Sequence, residues 1–224
     1  MTFSLAARDP ATGAFGMVIS SSSPAVASRC LHLRASVGVA ASQNVTNPAL
    51  GPLLLDELEA GGSAVTAIAA AVAADAHSDF RQLTVIDAEG RVATHTGSQA
   101  LGKFGVSVGD QAVAAGNMLR GLDVLDAMVG GYAGSTAETF EERLLAGVLA
   151  ALEAGGEAGP VRSAGLSVVE GAEWRVTDLR VDDSDDPAAE LTRLLALWLP
   201  QKHDYLARAL HPDGAPSYGV PGDE

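Results

Sequence analysis

Helix and strand signals in this chain do not alternate one for one, and that ordering restricts the fold more than any other feature of the sequence. Residues 2–8 alternate like a half-buried strand, Asp9-Pro10-Ala11-Thr12-Gly13 reads as a turn, and residues 15–21 return, so the chain opens on a β-hairpin. A small-residue strand follows over 36–42. Two helices then come in succession. One has Asn47 as N-cap and Pro48 at its first position, and carries Leu53, Leu54, Leu55 and Leu58 to Gly61-Gly62; the other is capped by Ser63 and runs to Ala74. Strands over 80–87 and 91–96 flank the turn Ala88-Glu89-Gly90, and another covers 111–116. A second helix pair spans 122–132 and 137–154, the latter with Phe140, Leu144, Leu145, Val148, Leu149 and Leu152 at helical spacing. A hairpin over 163–170 and 174–181, a helix over 187–199, a short helix over 201–210 and a Pro- and Gly-rich coil from His211 complete the chain.

A doubly wound parallel sheet needs one helix between successive strands. Strand hairpins separated by helix pairs predict instead an α+β fold, a four-layer αββα sandwich in which two antiparallel sheets pack together and a helix pair covers each outer face. Strands buried on both faces account for their many Ala, Val and Gly residues. No repeat or linker divides residues 1–199, which are expected to form one domain, with 200–224 as a short helix and tail.

At 224 residues the chain buries enough surface to need neither disulfides nor a structural metal. Its single cysteine, Cys30, excludes an internal disulfide and a Cys-based metal cage, and lacks a clear histidine partner to activate it. The 14 basic against 28 acidic residues leave a net charge of −14, concentrated in part at Asp182, Asp183, Asp185 and Asp186. That balance argues against nucleic acid, which needs a basic patch, and against anionic membrane surfaces. The start MTFSLAARDP is not a secretory signal, and the apolar run 64–74 falls short of the ~18 residues of a membrane span. A cytoplasmic protein is expected.

The common catalytic signatures are missing: no phosphate-binding G-x-x-x-x-G-K-[ST], no dinucleotide G-x-G-x-x-G, no H-E-x-x-H and no G-x-S-x-G. His32, His77, His95, His203 and His211 show no metal-ligand spacing, so neither metal nor cofactor is expected. The remaining candidate is Thr2. Aminopeptidase removal of Met1 before a small residue would leave Thr2 as the terminus, with a hydroxyl nucleophile and its own α-amino group as base. Such an amine has a pKa of about 7.7–8.0, close enough to neutrality to accept a proton. Thr at position 2 is also common in ordinary proteins, and the residue alone does not decide.

The stretches TFSLAARDPATGAFGMVIS, LRASVGVAASQNVTNPALGP, RQLTVIDAEGRVATHTG, AAGNML and LRVDDSDDPAAEL, in that order, resemble the DUF1028 family over about residues 2–199. The family is grouped with the N-terminal nucleophile hydrolases, whose four-layer αββα sandwich is the architecture read from the element order. The resemblance implies an amide hydrolase without naming a substrate, and a homo-oligomer, a dimer first. Thr2 matches the opening threonine, Gln43, Thr46, Asn47 and Pro48 match Q-x-x-T-N-P, His95 matches H-T-G, and Gly116, Asn117 and Met118 match G-N-M. By analogy with proteasome-like hydrolases, Arg34 would be the cation that lowers the amine pKa. Ser22 stands where those enzymes hold a carboxylate, a departure that weakens the analogy. Backbone N–H groups near Gln43 and Asn44 lead as oxyanion donors, with the Asn117 side chain as second candidate. Other readings stay open: Asn47 as helix cap, Asn117 as turn former, His95 as loop anchor, Arg34 as a surface ion pair. Ser22 also leaves open a non-catalytic module, binding a metabolite or serving assembly on a degenerate hydrolase scaffold.

Overall fold

In the computed structural model, which describes residues 1–222, the opening hairpin forms as the turn signal demands. Strands β1 (Thr2–Arg8) and β2 (Phe15–Ser21) pair antiparallel from Phe3↔Ser20 to Arg8↔Phe15. The Asp9 carboxylate accepts from Ala11 N–H and Thr12 Oγ1, and Gly13 takes the positive φ that closes the turn. A short helix α1 (Val26–Cys30) and strand β3 (Leu31–Arg34) lead to β4 (Gly38–Asn44). Helices α2 (Leu50–Glu59) and α3 (Ala64–Ala74) follow, then strands β5 (Arg81–Asp87), β6 (Val92–Thr96), β7 (Gly105–Gly109) and β8 (Ala112–Asn117). Helices α4 (Asp123–Ala133) and α5 (Phe140–Glu153), strands β9 (Ser163–Val169) and β10 (Arg175–Val181), and helix α6 (Pro187–Leu210) finish the sequence of elements.

The strands form two antiparallel sheets. One has six strands in the order β10-β9-β2-β1-β8-β7, and the other has four, β3-β4-β5-β6. Strand alternation sends side chains to opposite faces. Phe3, Leu5 and Ala7 of β1 therefore join Val124, Met128, Leu144, Val148, Leu191 and Leu195 of α4, α5 and α6. Ala6 of the same strand joins Phe15, Met17, Ile19, Val39, Ala41 and Ile86 between the sheets. The four-stranded sheet turns Ala40, Leu83 and Val85 towards Leu54, Leu58, Ala67 and Ile68 of α2 and α3.

Several local expectations change. The segment 26–34, with no strand expected before Ser36, supplies both α1 and an edge strand. The weakly patterned GVSVG forms β7 because β8 offers it an open edge. Asn47 does not cap α2, which starts at Leu50; its Oδ1 instead accepts from Ala49 N–H at 3.2 Å in an Asx turn ahead of the helix. Ser63 caps α3 as expected, while α5 starts at Phe140 rather than 137 because Thr139 caps it; each cap forms a reciprocal box, with Thr66 and Glu142 respectively. The expected break at residue 200 is absent, and α6 continues through Pro200. Ala196 and Pro200 are both exposed, which leaves the freed Ala196 carbonyl to solvent. Positions 223 and 224 of the expected tail lie outside the described residues.

Candidate functional site at the head of strand β1

Thr2 is the first paired residue of β1, with β2 on one side and β8 on the other. It lies opposite Asn117 of β8, while Ser21 follows the Phe3↔Ser20 pair on β2 and itself faces Ser163 of β9. Ser163, Ser21, Thr2 and Asn117 thus form a polar row across four strands, on the face turned to the second sheet. All four are buried, Thr2 being 5% exposed. The Thr2 hydroxyl donates to the Met1 carbonyl at 2.6 Å and lies 3.4 Å from Ser21 Oγ. Ser21 Oγ also donates to the Met1 carbonyl, and is 2.9 Å from Ser23 Oγ.

The second sheet answers with a row of its own, Gln43, Gln82 and Thr96 on β4, β5 and β6. Ser4 Oγ donates to Gln43 Oε1 at 2.8 Å, and Gln43 Nε2 donates to Gln82 Oε1 at 2.9 Å. Asn117 Nδ2 donates to Gln82 Oε1 at 3.3 Å, and Gln82 Nε2 donates to the Gly116 carbonyl at 3.1 Å. The two sheets are therefore cross-linked by buried amides just below Thr2. Asn117 Oδ1 is buried and accepts no hydrogen bond.

Thr2, Gln43 and Asn117 come together. Asn117 turns an N–H to Gln82 and leaves its oxygen unpaired, an arrangement that, as it stands, presents an acceptor rather than the expected oxyanion donor. Asn44 sits at the same end of β4, with φ 73°. Its Nδ2 donates to the Phe80 carbonyl, and its Oδ1 accepts from Leu101 N–H, so it fastens two loops. Asn47 lies beyond, with Nδ2 at 3.5 Å from Asp75 Oδ2. Arg81 holds Asp75 at 2.7 Å and lowers its pKa to about 2.

Arg34 and His95 are not brought to Thr2. Arg34 ends β3 opposite Gly38, at the far end of β4 from Gln43. Gly38 and Gln43 are five residue steps apart along the strand, roughly 16 Å. Arg34 pairs there with Asp56 and Glu59 of α2, so the cation expected on this strand serves the surface. His95 is opposite Leu83, which faces α2 and α3, so its ring lies on the sheet face away from Thr2. His95 Nε2 is 3.0 Å from the Ser78 carbonyl.

Ser22 brings its backbone. Its N–H lies 3.2 and 3.1 Å from the two carboxylate oxygens of Glu157. Glu157 was not singled out in the sequence, where it is one acid in the Gly155–Pro160 loop. It is 3% exposed, and burial pushes its pKa up to about 7 against the opposing pull of the Met1 α-ammonium and Ser22. The available signal was a lone carboxylate flanked by glycines, Gly155-Gly156-Glu157-Ala158-Gly159, separated by three residues from the strand that follows.

Residues 2–191 match the family described as "Family of unknown function (DUF1028)". The chain belongs to the DUF1028 family. Protein SPO2555 from Silicibacter pomeroyi, described with the same family, has a crystal structure that superposes with a TM-score of 0.84 at 31% identity, covering 91% of this chain and 89% of that one. Anbu (ancestral beta-subunit) from Yersinia bercovieri gives a TM-score of 0.40 at 13% identity, over 92% of this chain and 97% of that one. No curated protein matches the chain. Among the described residues no helix is long and apolar enough to cross a membrane, and no group of three or more His, Cys, Asp or Glu residues is placed to hold a metal ion. For DUF1028 the family description leaves function open, so a functional reading here rests on the site itself.

Proposed function

We propose that this DUF1028 protein is an N-terminal-threonine hydrolase that cleaves a C–N bond of a small molecule or peptide. The observation that carries the reading is the place of Thr2: a hydroxyl at the head of a central strand, in a buried polar row, facing a second sheet. The stacking of helices, two sheets and helices supports reading the fold as the four-layer αββα sandwich of N-terminal nucleophile hydrolases. Met1 is removed, and the Thr2 amine takes the Oγ1 proton as Oγ1 bonds to the substrate carbonyl carbon. The C–N bond breaks and the ammonium protonates the departing nitrogen. Water then attacks the ester, giving its proton to the same amine, and Oγ1 is released with its proton restored.

The test is the mass of the mature protein together with amide hydrolysis by wild type and Thr2→Ala. Hydrolysis is expected to fall by roughly 10⁴-fold or more without the nucleophile, while Thr2→Ser retains measurable turnover. Active protein that keeps Met1 would refute the mechanism, because the amine would then belong to the wrong residue.

A second reading, a non-catalytic metabolite-binding or assembly protein on a degenerate scaffold, is favoured by one observation. Thr2 is 5% exposed, and its hydroxyl is taken up by the Met1 carbonyl. The readings separate on the processed chain: the hydrolase reading requires a Thr2 hydroxyl that a hydroxyl-acylating probe can reach and esterify, and the binding reading does not. We also propose a homodimer in the cytoplasm, with native mass as its check.

A further inference from the structure

We propose that Glu157 is the positioning carboxylate for the Thr2 amino group: it receives the new terminal ammonium once Met1 is gone and holds that nitrogen beside the Thr2 hydroxyl. The inference rests on the reading of Thr2 as the nucleophile. It supplies from a distant loop the carboxylate that position 22 lacks.

The first argument is topological. The segment around Glu157 crosses the head of β1 and is fastened on both sides of it. On the β2 side the Glu157 carboxylate accepts from Ser22 N–H. On the β8 side Glu157 bridges Leu119, Ala158 N–H donates to the Met118 carbonyl at 3.0 Å, and Arg120 N–H donates to the Gly156 carbonyl at 3.0 Å. Strand β1 lies between β2 and β8, so its terminus is what this segment covers. Gly159 confirms the closeness, since a Cβ there would stand 3.3 Å from the Met1 side chain.

The second argument is electrostatic. A carboxylate this buried needs a cation or a full set of donors. The nearby cations are engaged elsewhere. Arg29 donates to the Pro24 and Ala25 carbonyls and to Ser23 Oγ, Lys103 donates to the Arg120 carbonyl, and Arg162 is held by Asp183 and Asp185. Arg120 is exposed. The positive charge felt by Glu157 is the amino terminus, which also acts on the buried Cys30 thiol. Losing Met1 moves that charge one residue, about 3.8 Å, onto the Thr2 nitrogen. A carboxylate beside an α-ammonium favours the charged form, so Glu157 holds the Thr2 nitrogen in place and raises the pH at which it gives up its proton and becomes free to act as base.

The experiment is an NMR titration of the Thr2 α-amine in mature, ¹⁵N-threonine-labelled wild type, Glu157→Gln and Glu157→Asp. Glu157→Gln should lower the amine pKa by about one unit, and Glu157→Asp should restore most of it. A folded Glu157→Gln protein whose amine titrates as in wild type overturns the proposal. If Glu157→Gln does not fold, the ¹³C shift of the wild-type Glu157 carboxyl decides. A step shared with the Thr2 nitrogen supports the proposal, and an independent single step overturns it. The two readings fail separately: a shared titration without any amide hydrolysis removes the hydrolase, whereas Thr2-dependent hydrolysis with an unshifted amine removes Glu157. Met1 retained on the folded protein removes both.

Discussion

Replacing Gln82 with Met should unfasten the two sheets beneath Thr2 while keeping the side chain's shape. Gln82 is fully buried. Its Oε1 accepts from Gln43 at 2.9 Å and Asn117 at 3.3 Å, and its Nε2 donates to the carbonyls of Gly116 at 3.1 Å and Gly105 at 3.2 Å. A thioether replaces none of these. Each lost bond is worth about 1 kcal/mol net, and each amide left unpaired in the interior costs a further ~1–3 kcal/mol where it cannot relax. Partial relaxation places the expected loss at about 3–5 kcal/mol. Urea unfolding is the assay. With a slope of about 2 kcal/mol/M, the midpoint should fall by roughly 1.5–2.5 M at unchanged slope. Gln43→Met should cost less in the Gln82→Met background than alone, because the Gln43–Gln82 bond has already gone and only the Ser4 bond remains to lose. A loss below about 1 kcal/mol at unchanged slope would refute the reasoning, since it would mean that the buried amides find other partners or water.

Two further outcomes follow from charges away from Thr2. Lys202 of α6 contacts Glu141 at 2.8 Å and Glu170 at 3.1 Å, while Thr177 Oγ1 also donates to Glu141. Burial pulls the Lys202 pKa down, but the two carboxylates outweigh it and the net shift is upward. Lys202→Met should cost about 3–5 kcal/mol by stranding the buried Glu141, and adding Glu141→Gln should recover much of it, read by thermal or urea unfolding. Asp75 has its pKa lowered from 3.8 to about 2 by Arg81 and the His77 N–H. A carboxylate whose folded pKa is depressed adds stability above its unfolded pKa and loses it as pH falls through the folded one. The Asp75 contribution, on the order of 2 kcal/mol, should be complete above pH ~4 and vanish between about pH 4 and 2, and Asp75→Asn should flatten the stability profile in that window.

Thr2 and its hairpin were legible because they depend on neighbouring residues: period-two alternation, a five-residue turn and a threonine at position 2. The Q-x-x-T-N-P motif was legible as a motif, but its parts do different work. Gln43 links the sheets, whereas Asn47 shapes a turn one step before the helix it was expected to cap. Arg34 and His95 misled for a geometric reason. A motif gives order along the chain, while strand direction and side-chain parity decide which end and which face a residue reaches. Glu157 stood out only as a lone carboxylate among glycines, and nothing local to that loop tells which strand end it covers.

The sequence by itself determined the antiparallel hairpins, the helix pairs and their two-sided burial, because periodicity and caps are local and hydrophobic burial follows from them. It also determined the family. The tertiary structure alone decided which strands became neighbours of β1. That choice set Ser21 and Asn117 on either side of Thr2, sent Arg34 roughly 16 Å down β4, and laid Glu157 across the chain terminus. The physical reason is that a buried carboxylate and a row of buried amides have meaning only through partners distant in sequence, and those partners are fixed by sheet order and register.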